Sequence, residues 1–119
     1  MAIPSLAIAD DDFLFRRLSP DHLNLDGTVN SNAYKLNEKP DPEISVDLSQ
    51  LTTVREALNR APGPQFKIGI IQAKDARTLG LNVRHDPRDD NPAHSVIEGN
   101  QTKANCRELA RRTWLAALP

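Results

Sequence analysis

The densest run of chemically versatile side chains is His85-Asp86-Pro87-Arg88-Asp89-Asp90-Asn91-Pro92-Ala93-His94. Two imidazoles and three carboxylates fall within ten residues. An imidazole titrates nearest neutrality, so it can give or take a proton, and with carboxylates it can hold a divalent cation. Asp-Pro and Asn-Pro also open turns, so the segment reads first as a solvated loop, second as an acid–base or phosphate contact. No metal is assigned to it. His94 is the stronger candidate of the pair, because it heads an apolar run that aims it into a core or into a cleft beside a sheet.

Arg16 and Arg17 form a second constellation. Neighbours in a strand point to opposite faces, so at most one of them leans inward, and an inward guanidinium must be paired. Asp47, on the polar side of its own strand, is the candidate partner. The planar fork of arginine also suits a phosphate group. Ser31 and Ser45 carry hydroxyls, but neither has a base beside it in sequence. Cys106 lies on an apolar stripe and is expected to be an inert buried thiol.

The common signatures are missing: no Gly-x-Gly-x-x-Gly, no phosphate-loop Gly-Lys-Ser/Thr, no Gly-x-Ser-x-Gly and no His-Glu-x-x-His. Because the single cysteine excludes an intramolecular disulfide and a cysteine zinc cage, the chain is expected to be cytoplasmic. No apolar run nears the roughly 20 residues of a membrane span, so no membrane partner is expected. Fifteen basic and sixteen acidic residues leave a net charge of −1. Lys103, Arg107, Arg111 and Arg112 could meet phosphates, yet they also suit the C-terminal end of a helix. The five aromatics form no basic–aromatic repeat. A nucleic-acid partner is therefore not expected.

These residues need elements to position them. Leu14–Leu18 reads as a strand, followed by a long turn-rich loop from Ser19 to Asn32 and a second break at Lys39-Pro40-Asp41-Pro42. Ile44, Val46 and Leu48 alternate with Ser45 and Asp47, the period of a half-buried strand. Thr53 and Glu56 have capping-box spacing, which predicts a helix over Val54–Arg60, stopped by Pro62-Gly63-Pro64. Phe66–Gln72 reads as a central strand, and Ala73–Leu79 as a helix closed by Gly80. Leu81–Arg84 and Ala93–Ile97 read as short strands. Thr102–Leu118 has a helical apolar stripe through Cys106, Leu109, Ala110, Thr113 and Ala117, widened by Trp114 and Leu118.

The expected architecture is α+β: a small mixed sheet packed against a C-terminal amphipathic helix, with two shorter helices. Residues 1–12 are expected to be a flexible arm and residues 13–119 a single domain. The first functional expectation is a non-catalytic binding or accessory domain for a protein partner. The alternative is a small enzyme acting on a phosphate-bearing or nucleotide substrate, NAD included, with Arg16 or Arg17 holding phosphate and His94, aided by His85 and Asp47, moving a proton. Convergence of these residues in one pocket would favour the enzyme. At the level of fold alone, a small sheet with a strand-borne arginine, a polar strand serine and a late strand histidine resembles compact ADP-ribosyltransferase-like domains. The resemblance implies an acidic residue late in the chain, for which only Glu98 offers itself.

Overall fold

The computed structural model describes residues 4–35 and 43–117. The break at Lys39–Pro42 and Leu118 lie outside them. Strands β1 (Phe13–Leu18), β2 (Glu43–Leu48), β3 (Lys67–Gln72), β4 (Asn82–His85), β5 (His94–Glu98) and β6 (Trp114–Leu115) form one sheet in the order β4-β5-β2-β1-β3-β6. Helices α1 (Val54–Asn59), α2 (Ala73–Thr78) and α3 (Lys103–Arg111) pack around it. The fold is α+β with a C-terminal helix, as expected.

The sheet was expected to be mixed, and every described pairing is antiparallel. Strand–helix–strand order makes parallel neighbours only when the two strands end up side by side. Here β1 inserts between β2 and β3, while β1, β2 and β5 separate β3 from β4. For the same reason β3 is not central; β2 and β1 are.

Pleating divides the side chains between two faces. One face carries Leu14 and Leu18 of β1, Ile44, Val46 and Leu48 of β2, Ile71 of β3, Val83 of β4 and Ile97 of β5, all buried in the main core with Leu109 and Cys106 of α3 and Ala76 of α2. At about 1.5–3 kcal/mol per large apolar side chain buried, this layer dominates folding. The other face carries a smaller cluster, Phe15 and Ile68 under Ala57 of α1. It also carries Arg17, Ser45, Asp47 and His94, at alternate positions from the core residues.

Local chemistry sets the helix limits. Thr53 accepts from the Glu56 amide at 3.1 Å, whereas the Glu56 carboxylate takes the Thr53 hydroxyl rather than its amide, so half the capping box forms. Gly80, at φ +81°, ends α2, and the Leu81 amide bonds back to the Ala76 carbonyl. The helix expected over Thr102–Leu118 begins as predicted, with Thr102 capping the Asn105 amide, but stops at Arg111. Thr113 is β-branched, and its hydroxyl is held by Tyr34 at 2.7 Å while itself bonding the Leu109 carbonyl at 2.7 Å. Beyond it, Trp114 and Leu115 pair with Ile70 and Gly69 at the edge of β3, and Trp114 packs edge-on against Phe13 at 5.8 Å. Gly69 allows this approach: a Cβ there would sit 2.7 Å from Thr113 Cγ2 and 2.8 Å from Leu18 Cδ1. Such a continuation is invisible to a helical stripe.

The long loop contains two single turns of 3-10 helix, Pro20–His22 and Ser31–Tyr34; the second seats Ala33 and Tyr34 in the core. Residues 5–12, expected as an arm, run along the body. Ile8 is buried, the Leu6 amide donates to His85 Nδ1, Arg77 reaches the Ile8 carbonyl and Asp10, and the Ala73 amide bonds the Asp12 carbonyl.

Candidate functional site

Beside α1, on the face opposite the main core, lies a cavity of about 430 Å³ lined by Arg17, Ser45, Arg60, Arg88, Asp90, Asn91 and His94. Three strands and two connections build it. Arg17 comes from β1, Ser45 from β2 and His94 from β5, while Arg60 caps the end of α1. Arg88, Asp90 and Asn91 come from the β4–β5 connection. That connection is a short hairpin of its own: the Arg88 and Asn91 amides and carbonyls pair at 3.1 and 3.0 Å, and the His94 amide bonds the Asn91 carbonyl at 3.0 Å. The turn chemistry read from Asp-Pro and Asn-Pro thus serves to carry polar side chains over the sheet.

Asp47 forms the floor. Its side chain is fully buried, accepts from Arg17 Nη1 at 2.6 Å through one oxygen and from Asn91 Nδ2 at 2.8 Å through the other. Arg17 remains 23% exposed and lines the cavity. Asn91 is buried, and its Oδ1 has no hydrogen-bond partner. A buried carbonyl oxygen without a donor is costly, a cost set against the bond that the same side chain gives Asp47.

His94 is arranged for proton transfer. Its Nδ1 lies 3.0 Å from the Asp86 carbonyl and 3.2 Å from Asp86 Oδ2, which fixes the ring proton on that nitrogen. The lone pair on Nε2 is then free to accept, and Ser45 Oγ stands 3.3 Å from it. Arg17, Arg60 and Arg88 line the cavity with Asp90. Arg17 is paired with Asp47, Arg88 lies 3.7 Å from Asp86 Oδ2, and Arg60 donates to the Thr52 hydroxyl at 3.2 Å. An anion entering here would compete with Asp86 and Asp90 for the exposed guanidiniums.

The sequence-predicted residues divide between the faces. Arg17, Asp47 and His94 come together here. Arg16 and His85 stand on the core face. Arg16 donates to the carbonyls of Ala33 at 3.0 Å and Ser45 at 2.8 Å and lies over the Tyr34 ring, 6.0 Å from its centroid. Burial lowers its pKa from the ordinary arginine value. His85, buried, is held at Nδ1 by the Leu6 amide at 2.9 Å and at Nε2 by the Pro92 carbonyl at 2.7 Å. Glu98 lies on the same strand and face as His94 but four residues on, about 13 Å away by strand rise. It is engaged by Arg84 and Asn82, and those hydrogen bonds hold its carboxyl below the usual range. Burial pushes the Cys106 thiol up, as suits an inert side chain. Among the described residues, no group of three or more His, Cys, Asp and Glu could hold a metal ion, and no helix is long and apolar enough to cross a membrane.

Arg60, Arg88, Asn91 and Asp86 were not singled out individually from sequence. Three of them sit inside the segment His85–His94, whose density was the signal; Arg60 gave none. A larger cavity, about 740 Å³, lies between the loop Asn24–Ser31 and the end of α3. Its lining is mainly apolar, with Trp114 and Leu115, and its Arg111 is tied to Glu108. No histidine or carboxylate lines it among the described residues, so the smaller cavity is the candidate site.

No family model, curated protein or solved structure matches the chain. Fold and site therefore define its class on their own: a small α+β domain with an arginine-lined, histidine-bearing cavity on the second face of an antiparallel sheet.

Proposed function

We propose that this protein is a small enzyme acting on a phosphate-bearing substrate, nucleotides included. What supports the reading above all is that Arg17, Ser45 and His94 line one cavity together with the exposed Arg60 and Arg88. The guanidiniums grip the phosphate oxygens and offset the charge that builds on them during displacement. His94, oriented by Asp86, takes the proton of the attacking hydroxyl and returns it to the leaving oxygen. Asp47 touches no substrate; it holds Arg17 and Asn91 in place. A volume near 430 Å³ falls within the range of small-molecule sites. The lone, buried thiol of Cys106 is in keeping with a cytoplasmic setting.

The test is thermal unfolding with inorganic phosphate, nucleoside monophosphates and NAD, each against chloride at equal ionic strength. At least one phosphate compound raises the midpoint, because a ligand selective for the folded state stabilises it. Arg60→Ala and Arg88→Ala alter exposed side chains and each weaken that binding about tenfold, the equivalent of ~1.4 kcal/mol. If no phosphate compound shifts the midpoint beyond chloride, the reading is wrong.

A second reading, an accessory domain that docks a protein, is favoured by the 740 Å³ groove. There Trp114 is 46% exposed and Arg107 and Arg111 flank apolar surface. An acidic, partly apolar segment of a partner fits that lining. Quenching or shift of the single tryptophan's fluorescence on titrating such peptides, lost on Arg107→Glu, is its expected signature.

A further inference from the structure

Three serines deserve comparison. Ser95 Oγ donates to the Ala93 carbonyl and is fully buried. Ser31 lies on the groove side of the molecule, far in the fold from either strand histidine. Ser45 alone has a side-chain base against it: its Oγ stands 3.3 Å from His94 Nε2. The opposite nitrogen of that ring donates to the Asp86 carbonyl at 3.0 Å, and Oδ2 of the Asp86 carboxylate, itself near Arg84 and Arg88, is 3.2 Å away. Hydroxyl, imidazole and carboxylate are thus in series, each separated from the next by hydrogen-bonding reach. Nucleophilic sites show this order, and such contacts are often looser before substrate arrives.

We propose that Ser45 is the nucleophile of this site and forms a covalent phosphoseryl intermediate, with His94 as its base and Asp86 as the positioning residue. The inference rests on the phosphate reading above and specifies how the reaction proceeds. Ser45 Oγ bonds to the phosphorus of a phosphate ester as the ester P–O bond breaks. The hydroxyl proton passes to His94 Nε2 and from there to the departing alcohol oxygen. Water then attacks the phosphoserine, one of its protons returns through His94 to Ser45 Oγ, and inorganic phosphate leaves. No metal or redox partner enters the balance. Arg17 and Arg88 face the same space and hold the non-bridging oxygens.

A fluorophosphonate probe tests this directly. Ser45 Oγ bonds to its phosphorus, the P–F bond breaks, and fluoride leaves as the proton moves to His94. Intact mass and peptide mapping of the full chain are expected to find one adduct, on Ser45. Ser45→Ala abolishes it; the backbone carbonyl of that residue, not its hydroxyl, receives Arg16, so the variant keeps that tie. His94→Asn slows labelling about a hundredfold, in line with loss of a positioned base. Asp86→Asn slows it about tenfold and shifts the pH profile of labelling, a change that a merely structural role would not produce. Ser45→Cys, reacted with iodoacetamide, checks that position 45 is reachable. An adduct elsewhere, labelling that persists in Ser45→Ala, or equal rates with and without His94 would overturn the proposal. If the phosphate-dependent midpoint shift survives that outcome, the binding reading stands and the covalent step alone falls.

Discussion

The two faces of the sheet use the same side chains for opposite ends. Arg16 and Arg17 are neighbours in β1, yet one guanidinium is spent on backbone carbonyls and the Tyr34 ring while the other leans over Asp47 into a cavity. His85 and His94 divide in the same way, on adjacent strands. Both nitrogens of His85 are taken by backbone groups, whereas His94, also buried, keeps one nitrogen turned toward a hydroxyl. Residue type therefore does not separate a structural group from a reactive one. What separates them is whether every polar atom is already satisfied by the protein.

Substitutions can break that contrast in order of size. Arg16→Met removes two charge-assisted hydrogen bonds and a cation–π contact and is expected to cost about 4 kcal/mol. The loss is read from denaturant unfolding, with phosphate affinity per folded molecule unchanged. Arg17→Lys retains a cation beside buried Asp47, so stability changes by less than about 1 kcal/mol, while phosphate affinity falls about tenfold because the planar fork is gone. Equal effects of the two would erase the distinction between the faces. His85→Ala strands the Leu6 amide and the Pro92 carbonyl and costs about 3 kcal/mol, against about 1 kcal/mol for His94→Ala.

Two titrations sharpen the picture further. Tyr34 is the only tyrosine, fully buried, and burial pushes its phenol up to about 12, partly opposed by the Thr113 hydrogen bond and by Arg16. Ultraviolet titration should show no ionisation near pH 10 in the folded state. An unfolded tyrosine ionises near pH 10, so stability declines as pH rises from about 10 toward 12. The smallest effect concerns His22, whose imidazole burial and nearby Arg16 hold below its ordinary value while its Nδ1 accepts from the Ser19 amide. The unfolded state then takes up the proton first. The contribution of His22 to stability is full above about pH 6.5 and fades as pH falls through the lower folded value. The fade is read as the difference in stability between the protein and His22→Asn across that range.

Much of this was legible in the residues. The alternation Ile44–Leu48 identified β2 and put Ser45 and Asp47 on its polar side, and the rule that adjacent strand residues diverge separated Arg16 from Arg17. The choice of which arginine faces the cavity needed register: Phe15 pairs with Asp47 and Asp47 with His94, and only those pairings bring β1, β2 and β5 into one site. Pairing across thirty or more residues leaves no local mark. Ser45 was passed over because its base is distant in sequence, and the helix ran too far on paper because its stripe continues past Thr113, where the chain turns to satisfy the β3 edge instead.

That turn also covers a strand flank. An open strand flank offers its amides and carbonyls to any extended chain and so invites aggregation. Trp114 and Leu115 occupy that position beside β3. A chain cut before Thr113 would leave the flank bare and is expected to zip onto its own copies.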